Sequence, residues 1–341
     1  MDTELLRATA QAMIAPGKGI LAADESTGTI TKRFTKLGVD STPESRRDYR
    51  ALLLTCPALA EAAGGVILYD ETLRQSATDG TPFPQLLRGA GVLPGIKVDT
   101  GAKDLAACPG ETVTEGLDGL RERLAEYREL GAAFAKWRAV ISIGDDRPST
   151  TCLEANAHAL ARYAALCQEA GIVPIVEPEV LMDGDHTIER CYHETTAALR
   201  CVFAALATHR VMLEGIVLKP NMVLPGAQCA DQVPVEAVAD ATLNCLTANV
   251  PAAVPGVAFL SGGQGPEVAT AHLNAMNTRS GGRAPWRLTF SFGRALQDPA
   301  LRAWGGKASN SEAAQLALAH RLRCTAAAST GTYDSEMETA A

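Results

Sequence analysis

The sequence lacks several features that mark broad functional classes. No apolar run is long enough to span a bilayer, and the first residues lack the basic and apolar regions of a signal peptide. Positive charge is not in excess, because the formal net charge is −8, which argues against binding a nucleic-acid backbone by bulk electrostatics. We therefore expect a cytoplasmic protein that binds neither membranes nor nucleic acid. The net charge does not exclude a local basic pocket for a small phosphorylated substrate.

Disulfide and metal-ligand patterns are also missing. The nine cysteines are odd in number and scattered, and we find no CxxC motif and no Cys/His ligand spacing among them. The six histidines never stand at HxxxH spacing, and residues 183–186, which resemble a fragment of a metal loop, have no second set of ligands. We therefore expect reduced thiols, no metal site and no cofactor.

What the sequence does contain is a regular alternation of short apolar segments with stretches that carry helical patterns. The apolar segments are 19–24, 65–70, 95–99, 134–141, 173–179, 215–219, 257–261 and 286–291, and the clearest helical stretches are 154–170 and 199–209. Eight such repeats predict an α/β protein with a single closed (β/α)8, or TIM, barrel over residues 1–328. A mobile tail is expected over 329–341. A doubly wound sheet is the alternative, but it does not need eight regular repeats.

Lys219 is the most informative single residue. It ends an apolar, β-branched segment and is followed by a Pro-Asn breaker, which indicates an amine at the carboxyl end of a buried parallel strand. Burying a charged ammonium is costly, so an amine in such a place tends to become neutral and nucleophilic, as Schiff-base formation requires. A lysine that reaches solvent or pairs with an acid is the alternative.

Two other segments carry paired charges. Side chains alternate between the faces of a strand, so Lys136 and Arg138 point to one side, and Glu177 and Glu179 likewise share a side. If these strands lie near Lys219, cations face carboxylates across a small cavity, which suits acid–base chemistry. Three unrelated ion pairs remain the alternative.

Reactive side chains recur towards the carboxyl ends of the eight segments. They are Asp24, Asp70, Lys97, Lys136, Glu177, Lys219, Ser261 and Ser291. Barrel enzymes place their active sites at this end of the strands. The placement therefore predicts an enzyme.

Glycine-containing turns follow the last two segments. Residues 261–265 read Ser-Gly-Gly-Gln-Gly, and residues 291–294 read Ser-Phe-Gly-Arg. Successive glycines let backbone N–H groups converge on an anion, and the loops after strands seven and eight are the usual phosphate site of such barrels. Together with the guanidinium of Arg294, these turns predict a phosphate site.

At these residues the chain resembles the class I fructose-bisphosphate aldolases. The shared motifs are GKGILAADESTG from Gly17, FAKWR from Phe134, VEPE from Val176, LEGIVLKPNM from Leu213, LSGGQ from Leu260 and GRAL from Gly293, within a similarity that runs from about residue 5 to 328. The resemblance implies a homotetramer that reversibly cleaves fructose 1,6-bisphosphate to dihydroxyacetone phosphate and glyceraldehyde 3-phosphate through a lysine Schiff base. Another Schiff-base lyase of a phosphorylated keto-sugar is the alternative, and a non-catalytic scaffold would have no reason to keep these residues together.

The resemblance also implies individual roles. Lys219 would form the Schiff base, Glu177 would act as general acid and base, Asp24 would act near the C4 hydroxyl, and Lys136 and Glu179 would balance the surrounding charge. The implied substrate-binding residues are Arg33, Ser26, Lys97, Arg138, Ser261, Gly262, Gly263, Ser291, Gly293 and Arg294. Well-known family members end in a tyrosine that helps to protonate the enamine, whereas the last tyrosine here is Tyr333, so that role stays open.

Overall fold

The computed structural model of the protein describes residues 1–339. Its strands are β1 (Gly19–Ala23), β2 (Ala63–Leu68), β3 (Leu93–Lys97), β4 (Gly101–Asp104), β5 (Thr112–Glu115), β6 (Phe134–Ile141), β7 (Val173–Val180), β8 (Val217–Leu218), β9 (Gly256–Phe259) and β10 (Arg287–Phe292). Its helices are α1 (Thr3–Met13), α2 (Thr27–Thr35), α3 (Pro43–Leu54), α4 (Ala58–Ala62), α5 (Asp70–Leu73), α6 (Phe83–Gly89), α7 (Leu120–Glu129), α8 (Thr150–Glu169), α9 (Ile188–Thr208), α10 (Val235–Asn249), α11 (Pro266–Ser280), α12 (Arg294–Trp304) and α13 (Ser311–Ala328). Short 3-10 turns occupy Leu213–Gly215, Ala308–Asn310 and Ser335–Glu338.

Eight parallel strands close into a barrel in the order β1, β2, β3, β6, β7, β8, β9, β10 and back to β1. Each corresponds to one of the eight segments expected from the sequence, so the predicted (β/α)8 barrel is confirmed and the doubly wound alternative is excluded. The sixth strand, β8, is shorter than the expected segment 215–219, because Gly215 belongs to the preceding 3-10 turn and Lys219 follows the last strand residue. The antiparallel hairpin β4–β5, which the sequence analysis did not predict, is inserted between β3 and β6.

A layer of apolar side chains fills the barrel towards the amino ends of its strands. Ile20, Ile67, Phe134 and Ile175 belong to one buried cluster, which also includes residues of α1. The ring of Phe134 fits because its neighbours lack side chains: a Cβ added at Gly95 would lie 2.2 Å from it. Helix α1 therefore closes the amino end of the barrel, and the carboxyl end is left for chemistry.

The two helices that were expected from sequence begin earlier than predicted. Helix α8 was expected over 154–170 and α9 over 199–209, but they begin at Thr150 and Ile188. The side chains of Ser149 and Thr187 cap them by accepting hydrogen bonds from backbone N–H groups of the first turn. These caps, rather than the apolar periodicity, determine the first residues of both helices.

The chain after α13 packs back onto the barrel. It turns at Gly331, whose φ is 72°, and the backbone N–H of Tyr333 donates to Asn274 Oδ1 on α11 at 3.1 Å. The mobility expected of 329–341 stays a prediction, and residues 340–341 of that range lie outside the described part. In the described range 1–339, every helix is too short or too polar to cross a bilayer.

Candidate active site

Strand parity brings the charged residues into the barrel. Ile175 on β7 and Val217 on β8 pack in the interior cluster, so residues an even number of positions further along face inwards as well. Glu177 and Lys219 therefore project into the barrel above the apolar layer. Lys136 follows Phe134 on β6 by the same rule, while Trp137 packs outwards in the other core cluster.

Four ionisable groups form a continuous buried network. Lys219 Nζ lies 3.0 Å from Glu177 Oε1, and Lys136 Nζ lies 3.3 Å from Glu177 Oε2. Lys136 Nζ also lies 2.7 Å from Asp24 Oδ2. The four side chains are only 3–11% exposed, so each charge is satisfied mainly by its neighbours.

The charges set the protonation states of this network. Burial alone would raise the pKa of Asp24 and of Glu177, but the ammonium groups of Lys136 and Lys219 outweigh it and hold both pKa values below the usual range. Burial would likewise lower the pKa of Lys136, but Asp24 and Glu177 outweigh it and raise that pKa. At neutral pH two carboxylates therefore face the two lysines, and Glu177 contacts both of them.

A second layer of ion pairs lies around this centre. The guanidinium of Arg138 bonds the carboxylate of Glu179, which outweighs burial and raises the pKa of Arg138. Lys97 Nζ lies 2.5 Å from Asp99 Oδ1 and donates to the Asp99 carbonyl at 2.8 Å. Glu179 is therefore already neutralised by Arg138 and does not contact Lys219 directly.

The turns after β9 and β10 form an anion-binding corner. Gly262 and Gly263 have φ values of 60° and 105°, and the Gln264 N–H closes the turn by donating to the Ser261 carbonyl at 2.9 Å. Arg294 begins helix α12, whose amino end carries free N–H groups. A Cβ added at Gly263 would lie 3.1 Å from Arg294 Nη2, so a glycine there leaves room for the guanidinium.

These groups surround one cavity of about 440 Å³. Of the residues that the sequence implied, the cavity is lined by Asp24, Ser26, Arg33, Lys97, Lys136, Arg138, Glu177, Glu179, Lys219, Ser261, Gly262, Ser291, Gly293 and Arg294. Gly263 is not among the lining residues and supports Arg294 from behind. Asp70, which the strand-end pattern also included, begins α5 outside the cavity and pairs with Arg74 at 3.1 Å.

The cavity is strongly positive although the protein is acidic. Eight lysine and arginine side chains and four carboxylates line it, so positive charges exceed negative ones by four. Ser291 Oγ is buried and has no hydrogen-bond partner among the described residues. The cavity therefore suits a small ligand with several negative charges and oxygen acceptors.

A larger cleft of about 710 Å³ lies at the opposite end of the barrel. Of the described residues that line it, Lys18 and Arg287 alone are charged, and no carboxylate accompanies them. Without paired acids and bases it offers no acid–base chemistry. The smaller cavity is therefore the candidate active site.

Sequence analysis missed a buried network beside Asp24. Glu25 Oε1 lies 2.7 Å from Arg33 Nη1, and Glu25 Oε2 lies 2.7 Å from Arg50 Nη2. Gln297 Nε2, on α12, donates to Glu25 Oε1 at 2.8 Å and to the Ala22 carbonyl at 2.6 Å. The network fixes the end of β1 and holds Arg33 at the cavity. Its members are far apart in sequence, so no local pattern indicated it.

A second missed contact supports the phosphate corner. His272 on α11 is buried, and its Nδ1 lies 2.6 Å from Gln264 Oε1. Gln264 Nε2 in turn donates to Met222 Sδ. Burial lowers the pKa of His272 to about 4, so the imidazole is neutral at physiological pH and Nδ1 can donate to the amide oxygen. His272 therefore anchors the glycine turn.

Comparison with known proteins places this chain in one family. The model of the family described as "Fructose-bisphosphate aldolase class-I" matches residues 4–341. A probable fructose-bisphosphate aldolase class 1 from Xanthomonas campestris pv. campestris is 60% identical over 304 residues, which cover 89% of this chain and 90% of the relative. The Arabidopsis thaliana protein named fructose-bisphosphate aldolase 6, cytosolic, is 53% identical over 318 residues, which cover 93% of this chain and 88% of the relative.

A solved structure gives the same result. A fructose-bisphosphate aldolase from Plasmodium falciparum, crystallised with TRAP and a small-molecule inhibitor, superposes with a TM-score of 0.95 at 46% identity. The match covers 97% of this chain and 95% of that one. The chain therefore belongs to the class-I fructose-bisphosphate aldolase family, whose reaction is the reversible cleavage of fructose 1,6-bisphosphate through a lysine Schiff base.

Proposed function

We propose that Lys219 is the amine that attacks the C2 ketone of fructose 1,6-bisphosphate. The proposal is supported by its position at the end of β8 and by the 3.0 Å contact between its Nζ and Glu177 Oε1. Loss of water from the carbinolamine gives an iminium ion, which withdraws electrons as the C3–C4 bond breaks. The electron pair of that bond enters the enamine, and the aldehyde product leaves with the C4 oxygen.

Glu177 moves protons during these steps. Its carboxylate takes a proton from the Lys219 ammonium, returns it to the departing carbinolamine hydroxyl, and accepts the proton of the C4 hydroxyl. Lys136 lies between Glu177 and Asp24, so it keeps both carboxylates ionised and close together. Asp24 orients the C4 hydroxyl, while Glu179 holds Arg138 against the cavity.

The two phosphates bind at opposite ends of the cavity. Ser261, Gly262, Ser291, Gly293 and Arg294 hold the C1 phosphate, and Gly263 leaves room for the guanidinium of Arg294. Arg33, Ser26 and Lys97 serve the other end, with Arg138 between the two groups. Each phosphate monoester carries about −1.5 to −2 charges near neutral pH. Two of them roughly balance the excess of four positive charges in the cavity, which favours a bisphosphate.

The observation that carries the proposal is the buried contact between Lys219 and Glu177. Borohydride reduction with dihydroxyacetone phosphate, followed by peptide mapping, tests it. We expect one stable adduct, on the peptide that contains Lys219. An adduct on Lys136 or Lys97 would contradict the assignment.

The assembly and compartment of the protein are also proposed. We infer a homotetramer from the family resemblance, and sedimentation velocity tests it: a monomer at micromolar concentration would contradict it. We infer a cytoplasmic location because Arabidopsis relatives carry "cytosolic" in their names and because the nine cysteines are free in the structure. Fractionation of cells that express the native protein checks this location.

A further inference from the structure

Three metal-binding side chains meet where the C-terminal segment packs on α13. His320 and Cys324 lie one helical turn apart on α13, and Glu338 approaches them from the Ser335–Glu338 turn. His320 Nε2 lies 3.3 Å from Glu338 Oε2 and 3.8 Å from Cys324 Sγ. One ligand atom from each residue lies within 4.8 Å of the other two.

The two separations from His320 suit a tetrahedral zinc-type ion. Zinc bonds of about 2.0–2.2 Å to nitrogen or oxygen and about 2.3 Å to sulfur place neighbouring ligands roughly 3.3–3.6 Å apart. The distances from His320 Nε2 to Glu338 Oε2 and to Cys324 Sγ, 3.3 and 3.8 Å, lie at or just above this range. Cys324 is 1% exposed, whereas the side chains of His320 and Glu338 are 14% and 13% exposed, so the cluster is sheltered but open on one side.

The surrounding hydrogen bonds leave this geometry available. Tyr333 Oη donates to Glu338 Oε1 at 2.8 Å, and Arg321 bonds Glu338 Oε2. Arg321 Nη2 also donates to Thr270 Oγ1 at 2.8 Å, so the guanidinium is anchored on α11 as well. A metal ion would replace the direct contact between His320 and Glu338, while Tyr333 and Arg321 would orient the carboxylate from outside.

We propose that His320, Cys324 and Glu338 bind a divalent ion of the zinc class, with water as the fourth ligand, and that the ion fastens the C-terminal segment to α13. The thiol proton of Cys324 passes to solvent as the metal–sulfur bond forms. None of the three residues lines the active-site cavity, so the proposal stands apart from the proposed catalytic roles. The expectation of no Cys/His ligand spacing overlooked this pair, which stands at i and i+4 on one helix.

Cobalt titration of the full-length, reduced and chelator-stripped protein tests the site. Co²⁺ bound to a thiolate gives a charge-transfer band in the near ultraviolet, and Zn²⁺ removes it by competition. We expect a band that saturates at about one equivalent per chain, as a single site requires. Absence of the band in the unaltered protein would overturn the proposal without any variant.

Matched variants assign the ligands. Cys324→Ser should abolish the band, and Glu338→Gln should keep it but weaken binding by at least about tenfold. Cys229→Ser and Glu336→Gln change the same residue types outside the cluster, so they should bind as the unaltered protein does. A band that survives in Cys324→Ser, or unchanged affinity in Glu338→Gln, would show that the ion binds elsewhere.

Protection from a protease tests whether the ion fastens the C-terminal segment. Chymotrypsin cleavage after Tyr333 should slow when Zn²⁺ is added to the unaltered protein, because the bound ion would hold Glu338 on α13. Zn²⁺ should give no protection in Glu338→Gln. Equal protection of both proteins would contradict the role of Glu338 as the link.

Discussion

Lys219 Nζ lies 3.0 Å from Glu177 Oε1, and the other oxygen of Glu177 lies 3.3 Å from Lys136 Nζ. One carboxylate thus joins Lys219, the proposed nucleophile, to Lys136, whose pKa is raised by Asp24 and Glu177. The charges of Lys136 and Lys219 outweigh burial and hold the pKa of Glu177 low, so the carboxylate is ionised where it faces the amine of Lys219. Proton transfer to and from Lys219 can therefore occur without a water chain.

Replacing Lys219 by arginine should remove the nucleophile and keep the positive charge. A guanidinium is not deprotonated in proteins, so Lys219→Arg should abolish both cleavage and borohydride trapping with dihydroxyacetone phosphate. The matched variant Lys103→Arg, at an exposed position on β4, should trap like the unaltered protein. Mass spectrometry of the reduced protein measures both. Trapping that persists in Lys219→Arg would assign the Schiff base to another lysine.

Replacing Glu177 by glutamine should slow proton transfer with little change of shape. We expect kcat to fall by roughly 10²–10⁴-fold, the usual size of an acid–base contribution. Glu179→Gln is the matched control on the same strand, and its kcat should fall much less because Glu179 contacts Arg138 and not Lys219. Steady-state kinetics decides the matter: a higher KM with kcat intact would mean that Glu177 serves substrate binding.

Replacing Arg294 by alanine should weaken recognition of the phosphate. Hydrogen bonds to charged groups contribute about 1.5–3 kcal/mol, so trapping of dihydroxyacetone phosphate should require a roughly 10- to 150-fold higher concentration. Phosphate-free dihydroxyacetone should be trapped as before. Arg302→Ala, at an exposed position in the last turn of α12, is the control. Equal losses with both ketones would show that Arg294 instead holds the site together.

The sequence was sufficient to predict the barrel and the meeting of Lys136, Glu177 and Lys219, because both follow from local patterns. Apolar segments alternate with helical stretches, and a period of two places Lys136 and Glu177 inside the barrel above Phe134 and Ile175. The carboxyl ends of parallel strands then bring these residues to Lys219. No knowledge of distant contacts is needed for that step.

The supporting contacts could not be predicted in this way. Glu25 follows Asp24 directly, and because side chains alternate between the faces of a strand, the pattern would place it on the opposite face from the site. Its partners Arg50 and Gln297 come from α3 and α12. Their meeting depends on how the helices pack around the barrel. The β4–β5 hairpin was missed for another reason, since its two four-residue strands are too short and too polar to show a clear pattern.

His272 should make the stability of the protein depend on pH. The pKa of His272 is about 4 in the folded protein, whereas that of an ordinary histidine is about 6.5. Below pH 6.5 the unfolded chain therefore binds a proton at this residue that the folded protein does not bind. Stability should be lost as pH falls from about 6.5 to about 4, by up to about 3 kcal/mol. Between pH 7 and pH 5, the Tm of His272→Gln should therefore fall less than that of the unaltered protein. His193 is exposed, so the Tm of His193→Gln should fall as much as that of the unaltered protein. Identical pH profiles of His272→Gln and the unaltered protein would contradict the burial argument.

Tyr333 should not be the proton donor to the enamine. Its hydroxyl donates to Glu338 Oε1 at 2.8 Å, and its backbone N–H donates to Asn274 Oδ1 on α11. In this conformation the phenol is therefore engaged by Glu338 and not by the active-site cavity. Burial and Glu338 raise the pKa of Tyr333, which keeps the phenol protonated and suited to that contact. Tyr333→Phe should therefore leave kcat for fructose 1,6-bisphosphate within about threefold, a barrier change of well under 1 kcal/mol. A fall of tenfold or more, with slower hydrogen exchange at C3 of dihydroxyacetone phosphate, would show that Tyr333 leaves Glu338 during turnover and protonates the enamine.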